Sequence, residues 1–246
     1  MIAQVIHVLM ILKKRMTFNL RIVLVEPLYQ GNVGSVARAM KNFGFSDLVL
    51  VNPCKLENEA RALASHAWDV IEKANVVTSI EEAIEGADVV IATTGITGLK
   101  MDEHIRMPPY TPHELKDKFN ETSGTVAVLF GREDNGFTNE ELRMSDMIVS
   151  IPTSEIYPIM NLSHATTIIL YELSQIEAGE QQLADGFDLR LLHEHIGELL
   201  DDIQYPEHKK EKTHLMFKRI FGRAQLMPRE VQTLRGFFGR IQQLIK

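Results

Sequence analysis

Three segments of this chain gather residue types that can do chemistry, and each follows a short apolar run. Pro27 to Arg38 (PLYQGNVGSVAR) sets Gly31 and Gly34 around Asn32 and ends on Arg38. Two glycines there can bring backbone N–H groups to a phosphate at a helix N-terminus, although a bare GxxG more often marks a tight turn. A guanidinium such as that of Arg38 holds phosphate bidentately and, by its charge, favours loss of a proton from a nearby hydroxyl. Phe130 to Phe137 (FGREDNGF) crowds Arg132, Glu133, Asp134 and Asn135 between two glycines. That density of polar groups beside a buried strand exceeds what packing needs, although Asp134-Asn135-Gly136 is also a good turn. Ile151 to Ser163 (IPTSEIYPIMNLS) is a long loop stiffened by Pro152 and Pro158, running into a helix that Asn161 or Ser163 can cap. The GxGxxG dinucleotide spacing fails and no GxxxxGK[ST] loop exists, so nicotinamide and nucleoside triphosphate chemistry both lose ground.

The elements that must position these segments read as α/β. Arg21 to Glu26, Leu48 to Val51, Val89 to Ala92, Val126 to Phe130 and Met147 to Ile151 are continuous apolar runs, the pattern of strands buried on both faces. Between them Asn32 to Phe43, Glu57 to Ala74, Ile80 to Ile84 and Pro112 to Lys118 carry helical periodicity, and Asn161 to Ile176 is a longer apolar helix. The alternation predicts a mainly parallel sheet, with ligands beyond the carboxyl ends of the strands, where the three segments fall. Glu177 to Asp188 reads as a polar linker, and no strand is expected beyond Ile151. Leu189 to Ile203, His208 to Phe221 and Pro228 to Ile245 then form a small all-helical appendage, with Phe217, Phe221, Phe237 and Phe238 at packing positions. The expected division is an extension over residues 1–15, a catalytic domain over 16–178 and a helical C-terminal extension over 186–246.

Composition bounds the function. The 246 residues are 45% hydrophobic and 24% charged, with a formal net charge of −7, which describes a globular protein with a packed core. The single cysteine, Cys54, excludes an intramolecular disulfide framework and CxxC metal or redox motifs, so a cytoplasmic setting is expected. Residues 204–246 hold ten Lys/Arg against three acids, net +7, leaving sixteen against thirty, net −14, in the remainder. An acidic body thus carries a basic tail. The apolar run Ile2 to Leu12 is too short to span a bilayer, and its cationic residues follow it rather than precede it. It is read as non-targeting, with a start at Met16 as the alternative, and no membrane association is expected. His66 and His164 have no partners at ligand spacing, so no metal site is expected. Trp68 reads as a core or dimer contact.

Together, in order and spacing, the three segments resemble the SPOUT superfamily of RNA methyltransferases. Asn32, Gly34 and Arg38 match its first motif (NxGxxxR), Gly131, Glu133 and Gly136 its second (GxExxG), and Ile151, Pro152 and Asn161 its third, across roughly residues 21 to 175. Within it, the GREDNGFTNEEL run and the helical extension look like the TrmJ type, 2′-O-ribose methyltransferases of the anticodon-loop nucleotide 32 of tRNA. The resemblance implies a homodimer with an α/β trefoil knot, S-adenosylmethionine as cofactor and tRNA as partner, held in part by the basic tail. It implies a cofactor shell of Thr93, Thr94, Gly95, Gly131, Ile151, Pro158, Ile159 and Met160, working mostly through backbone atoms. It further implies Arg38 as the catalytic residue, Asn32 and Asn161 orienting Arg38 or the ribose, and Glu133 holding the second-motif loop or pairing with Asn32. One departure is Ile159, where many relatives carry a serine, which removes a hydroxyl. The PIMNLSHA run is closer to archaeal-type relatives, which favours cytidine, with uridine second. Ribosomal RNA methylation and a non-catalytic RNA-binding module are the alternative readings.

Overall fold

The computed structural model describes residues 17–95 and 108–245. The extension expected over residues 1–15 lies outside the described residues. So do residues 96–107.

Seven strands, β1 (Phe18–Val25), β2 (Asp47–Val51), β3 (Asn75–Val77), β4 (Val89–Thr93), β5 (Pro109–Tyr110), β6 (Thr122–Phe130) and β7 (Met147–Val149), run in the order β3-β2-β1-β6-β4-β7-β5. Every pairing is parallel. The continuous apolar runs have a direct cause: each strand feeds two cores. Ile22, Leu24, Val126, Val128 and Phe130 face one, and Val23, Val25, Ala127 and Leu129 the other. Helices α1 (Gln30–Asn42), α2 (Asn58–Ala64), α3 (Trp68–Glu72), α4 (Ile80–Ala83), α5 (Pro112–Phe119), α6 (Asn139–Arg143) and α7 (Leu162–Leu173) complete the body. Val33, Met40, Phe119, Ile169 and Leu173 cover the first face, and Ile80, Ala83 and Leu142 the second. Trp68 packs, partly buried, against the first core.

Several elements differ from the sequence expectation. The helix read over Glu57 to Ala74 is broken by Ser65, whose φ of +51° no continuing helix allows; a 3-10 turn, Ser65–Ala67, and α3 follow. Strands β3 and β5, of three and two residues, are too short to show a pattern, and the proline of β5 is tolerated because that strand pairs only with β7. Strand β7 stops at Val149: the Ser150 N–H reaches Tyr110 O at 2.8 Å, and Pro152 has no N–H to continue a ladder. This frees Ile151 from the sheet.

The stretch read as a linker is stitched to the body. Its residues Gln181–Gln182 form β8, parallel to the start of β6 and so a strand beyond Ile151, and Leu183 joins the main core. The Asp88 carboxylate accepts Thr125 N at 2.8 Å and Gly186 N at 3.3 Å, so a body carboxylate anchors the first turn of the tail. Helices α8 (Gly186–Asp202), α9 (Glu207–Ala224) and α10 (Pro228–Ile245) enclose a small core of their own around Leu192, Ile196, Leu200 and Val231. Phe217, Phe221 and Phe238 pack against it, whereas Phe237 is 60% exposed, against expectation.

Helix α1 carries the first-motif residues and crosses α2 so closely that a Cβ on the buried Gly34 would lie 2.3 Å from Ala60 O. A backbone carbonyl cannot swing aside as a side chain can. Gly34→Ala is therefore expected to cost about 1–3 kcal/mol of stability in urea unfolding by forcing the helices apart; an unchanged midpoint would contradict the close crossing.

Candidate functional site

Helix α1 starts at Tyr29 without a side-chain cap. A carboxylate from another segment takes that place. Glu133, in the loop after β6, accepts Leu28 N at 2.9 Å and Tyr29 N at 3.4 Å, and Asn32 Nδ2 donates to its Oε1 at 2.9 Å. Negative charge at a helix N-terminus is favoured by the helix dipole. Asn161 Nδ2 in turn donates to Asn32 Oδ1 at 3.1 Å, while Asn161 Oδ1 accepts Ser163 Oγ at 2.7 Å and Ser163 N at 2.9 Å, capping α7. Donation therefore runs one way, Ser163 to Asn161 to Asn32 to Glu133. The ionised carboxylate at the end can only accept, so both amide side chains are fixed in orientation.

Arg132, beside Glu133, is tied to protein groups. Its Nε meets Glu26 Oε2 at 2.8 Å, its two terminal nitrogens meet the Glu141 carboxylate at 3.0 and 2.9 Å, and Nη1 reaches Gly136 O at 3.3 Å. Glu26, the residue after β1, has φ +46°, an unusual conformation for a glutamate that this ion pair helps to hold. Burial alone would raise the Glu141 pKa, but hydrogen bonds from Arg132 and from the Thr138 amide outweigh it and hold the carboxyl below its ordinary value. The Arg132 pKa is raised by the hydrogen bonds to Glu141 and then Glu26.

Two cavities meet at this network. The first, about 270 Å³, is lined by all eight residues expected around the cofactor: Thr93, Thr94, Gly95, Gly131, Ile151, Pro158, Ile159 and Met160. Sequence reasoning missed its apolar depth, where Phe130, Phe137, Leu142, Val149 and Ile169 contribute, because those residues read as core. The second, about 440 Å³, is lined by Asn32, Glu133 and Asn161 together with Tyr29, Tyr157 and His164. His164, read from sequence as an ordinary surface or core histidine, stands in the wall of this cleft. Tyr29 and Tyr157 are 63% and 81% exposed; their signal in the sequence was an aromatic residue inside a candidate loop. Arg38 lies elsewhere: exposed on α1, it lines neither cavity and makes no hydrogen bond or ion pair among the described residues.

The first cavity fits S-adenosylmethionine. An apolar slot suits adenine, the loops at 93–95, 131–136 and 158–160 present backbone donors and acceptors for polar edges, and Glu133 and Asp134 bring negative charge for a sulfonium. The walls are kept to backbone thickness. A Cβ on Gly131 would lie 2.7 Å from the Gly136 carbonyl carbon, and one on Gly95 would lie 2.9 Å from Ile159 Cδ1. Among the described residues no group of His, Cys, Asp and Glu is placed to hold a metal ion.

A parallel α/β domain with a nucleoside-sized pocket and an adjoining cleft at its strand ends has its ligand site where such sheets bind ligands. The model of the SpoU rRNA Methylase family matches residues 19–171, and the chain belongs to that family. It is 42% identical over 91% of its length, and all of the relative's, to a tRNA (cytidine-2′-O-)-methyltransferase TrmJ of Methanocaldococcus jannaschii. To a tRNA (cytidine/uridine/adenosine-2′-O-)-methyltransferase TrmJ of Pseudomonas aeruginosa it is 34% identical, over 93% of this chain and 95% of that one. The crystal structure of TrmJ from Z. mobilis ZM4 superposes with a TM-score of 0.72 at 28% identity, covering 90% of this chain and 98% of that one.

The Arg132–Glu141 pair makes a claim about acid stability. A carboxyl whose folded pKa is lowered stabilises the fold above its unfolded pKa, and that contribution is lost as pH falls through the folded value. Glu141→Gln is expected to be less stable than the native protein at neutral pH by about 1 kcal/mol, the figure for a well-formed but partly exposed pair. The gap should close as pH drops below about 4. Urea midpoints of both proteins across that range provide the check, and a gap that stays constant with pH would contradict the assigned pair.

Proposed function

We propose that this protein transfers the methyl group of S-adenosylmethionine to a ribose 2′-hydroxyl of tRNA, at cytidine 32 of the anticodon loop, and that it acts as a cytoplasmic homodimer. The observation that carries this reading is the Asn161–Asn32–Glu133 network, whose members stand where the cofactor-sized cavity meets the polar cleft. Choice of cytidine rests on the similarity to the M. jannaschii protein, which is higher than that to the broader-specificity relative. Nucleotide 32 rests on the motif resemblance.

S-adenosylmethionine supplies an electrophilic methyl group with a neutral thioether as leaving group. The protein must hold a ribose hydroxyl in line and favour loss of its proton. The second N–H of each fixed amide, Asn32 and Asn161, is available to orient the ribose in the cleft, and the exposed rings of Tyr29 and Tyr157 offer faces for an unstacked base. Arg38 is assigned to the RNA phosphate and to lowering the hydroxyl pKa. Since it lines neither cavity of its own chain, it is assigned to the cleft of a second copy. The exposed apolar surface beside the cleft, Leu28, Ile156 and Ile159, is the kind of patch that a second copy would cover.

The tRNA backbone is assigned to the tail. Lys209, Lys212 and Arg223 fall on one stripe of α9 and make no ion pair among the described residues. Burial, and then the charge of Arg223, lower the pKa of Lys118, and a phosphate beside these two cations would relieve that repulsion.

Incubation with labelled S-adenosylmethionine and bulk tRNA, followed by mass spectrometric mapping, should place the methyl group on cytidine 32; labelling of ribosomal RNA alone, or of nothing, would overturn the reading. Arg38→Ala and Asn161→Ala should each abolish transfer. Mixed and allowed to exchange subunits, the two variants should regain about a quarter of the sites if Arg38 acts across the dimer, and none if it acts within its own chain. Replacing Lys209, Lys212 and Arg223 together by Gln should weaken tRNA binding, and lessen its salt dependence by roughly three phosphate contacts, while leaving cofactor affinity unchanged.

A further inference from the structure

Not all of the tail's cations face outward. Lys218 and Arg219 on α9 point into the body and grip one segment, Leu142 to Asp146, which joins α6 to β7. Lys218 Nζ donates to Arg143 O at 3.2 Å and to Met144 O at 2.6 Å. Arg219, only 5% exposed, donates to Leu142 O at 2.9 Å and to Ser145 Oγ at 3.2 Å. Lys218 also stands 3.9 Å from the Asp146 carboxylate, which accepts Val90 N at 2.8 Å. The fit leaves no slack: a Cβ on Gly222, one turn further along α9, would lie 2.7 Å from both Cβ and O of Asp146.

The gripped segment is also a wall of the cofactor cavity. Leu142 lines that cavity, and its neighbour Glu141 holds Arg132 through two hydrogen bonds, so that the loop Gly131–Gly136, with Glu133 in it, leans on α6. Helix α6 is only five residues long, too short to stand by itself, and its last carbonyls lie at a negative dipole end. Leu142 O accepts Ser145 N at 3.3 Å and Ser145 Oγ at 2.8 Å from its own segment, and the two tail cations add Arg219 to Leu142 O and Lys218 to Arg143 O and Met144 O.

We propose that Lys218 and Arg219 are positioning residues for the cofactor pocket: the helical tail, besides its assigned part in holding RNA, sets the wall against which S-adenosylmethionine binds. This rests on the proposed function for the identity of the ligand. The path from tail to pocket is continuous: Arg219 to Leu142, Leu142 and Glu141 within α6, and Glu141 to Arg132.

Calorimetric titration of the full-length protein with S-adenosylmethionine, without RNA, tests it. Lys218→Met, Arg219→Met and Ser145→Ala should each weaken cofactor binding, roughly 3- to 30-fold for the first two, the span known for residues that act on a site through others. Arg219→Lys should recover part of the loss. Binding of tRNA to the cofactor-free variants should stay within about twofold of the native protein, and amide exchange should quicken across residues 131–144. Leu48→Ala, destabilised by a cavity at the start of β2, in the core on the other face of the sheet from Leu142, separates positioning from general loss of stability: it should bind the cofactor normally. Should Arg219→Met not fold, Lys218→Met and Ser145→Ala carry the test. Native cofactor affinity in these folded variants would overturn the clamp alone. A native protein that binds no S-adenosylmethionine would overturn the functional reading, and the clamp with it.

Discussion

The carboxylate of Glu133 is the joint on which the site depends. It lies 101 to 105 residues from its three donors, Leu28, Tyr29 and Asn32, and through Asn32 it reaches Asn161, which is 129 residues from Asn32 in the sequence. Three loops that the sheet merely brings to the same edge are thereby held in one register. Hydrogen bonds to a charged acceptor contribute about 1.5–3 kcal/mol each, more than neutral ones. The loss of this carboxylate would leave α1 without any cap, since no local side chain serves there. Arg132 performs the complementary task one residue earlier. Bound to Glu26 and Glu141, it fixes the second-motif loop between the end of β1 and α6, so that Glu133 meets α1 at a defined place. Adjacent residues of opposite charge thus carry one loop, one holding it to the body and the other holding the site to it.

How much of this was legible in the sequence follows from range. The strands β1, β2, β4 and β6 announce themselves because burial on two faces demands unbroken apolar runs. The eight residues that the family resemblance implies around a cofactor are dispersed in the sequence, and the fold brings all of them to the wall of one cavity. The pairing of Asn32 with Glu133 was among the expected roles, but the bond from Asn161 to Asn32 was not, since nothing local distinguishes an amide that caps its helix from one that also reaches across a cleft. Strand β8 and the break at Ser65 were hidden for a similar reason: Gln181–Gln182 pair only because Glu121 to Ser123 lie alongside, and Ser65 takes a positive φ where α2 turns into α3. Arg38 shows the limit most plainly. Its motif position marks it, yet its place in the fold, exposed and apart from both cavities, is set by the face of α1 on which it falls.

The net charge of −7 conceals two opposed distributions, and the structure divides the positive one again. Of the tail's cations, Lys210 is paired with Asp201 and Glu207, Arg235 with Asp188, and Lys218 and Arg219 are spent on the body. A count of Lys and Arg therefore overstates the charge the tail offers to a polyanion. The buried pair makes the distinction physical: burial lowers the pKa of both Lys218 and Arg219, with Arg219 brought down to about 10, so their positive charge is sustained by the carbonyls and the carboxylate they face rather than by water. Arg219 has almost no surface left for an RNA phosphate, and the Lys218 ammonium is already engaged by the Arg143 and Met144 carbonyls.

The departure at Ile159 can be weighed in the same terms. A hydroxyl at that position would have been a polar group on the wall shared by both cavities, since Ile159 lines each of them. The isoleucine instead fills space: its Cδ1 stands against Gly95, where even a Cβ would crowd it at 2.9 Å, so it closes the first cavity between the loops after β4 and β7. The polar function has not vanished from the neighbourhood. Ser163, two residues beyond Asn161 instead of two before it, donates its hydroxyl to Asn161 Oδ1 at 2.7 Å and sets the direction of the whole amide chain. A serine before the asparagine can act on a ligand, whereas one in the first turn of α7 is 8% exposed and can act only on the asparagine. In this chain, therefore, the third segment presents the Asn161 amide to the cleft beside Thr153 and Tyr157, and the geometry of that amide is decided by Ser163, a residue that the cleft itself does not touch.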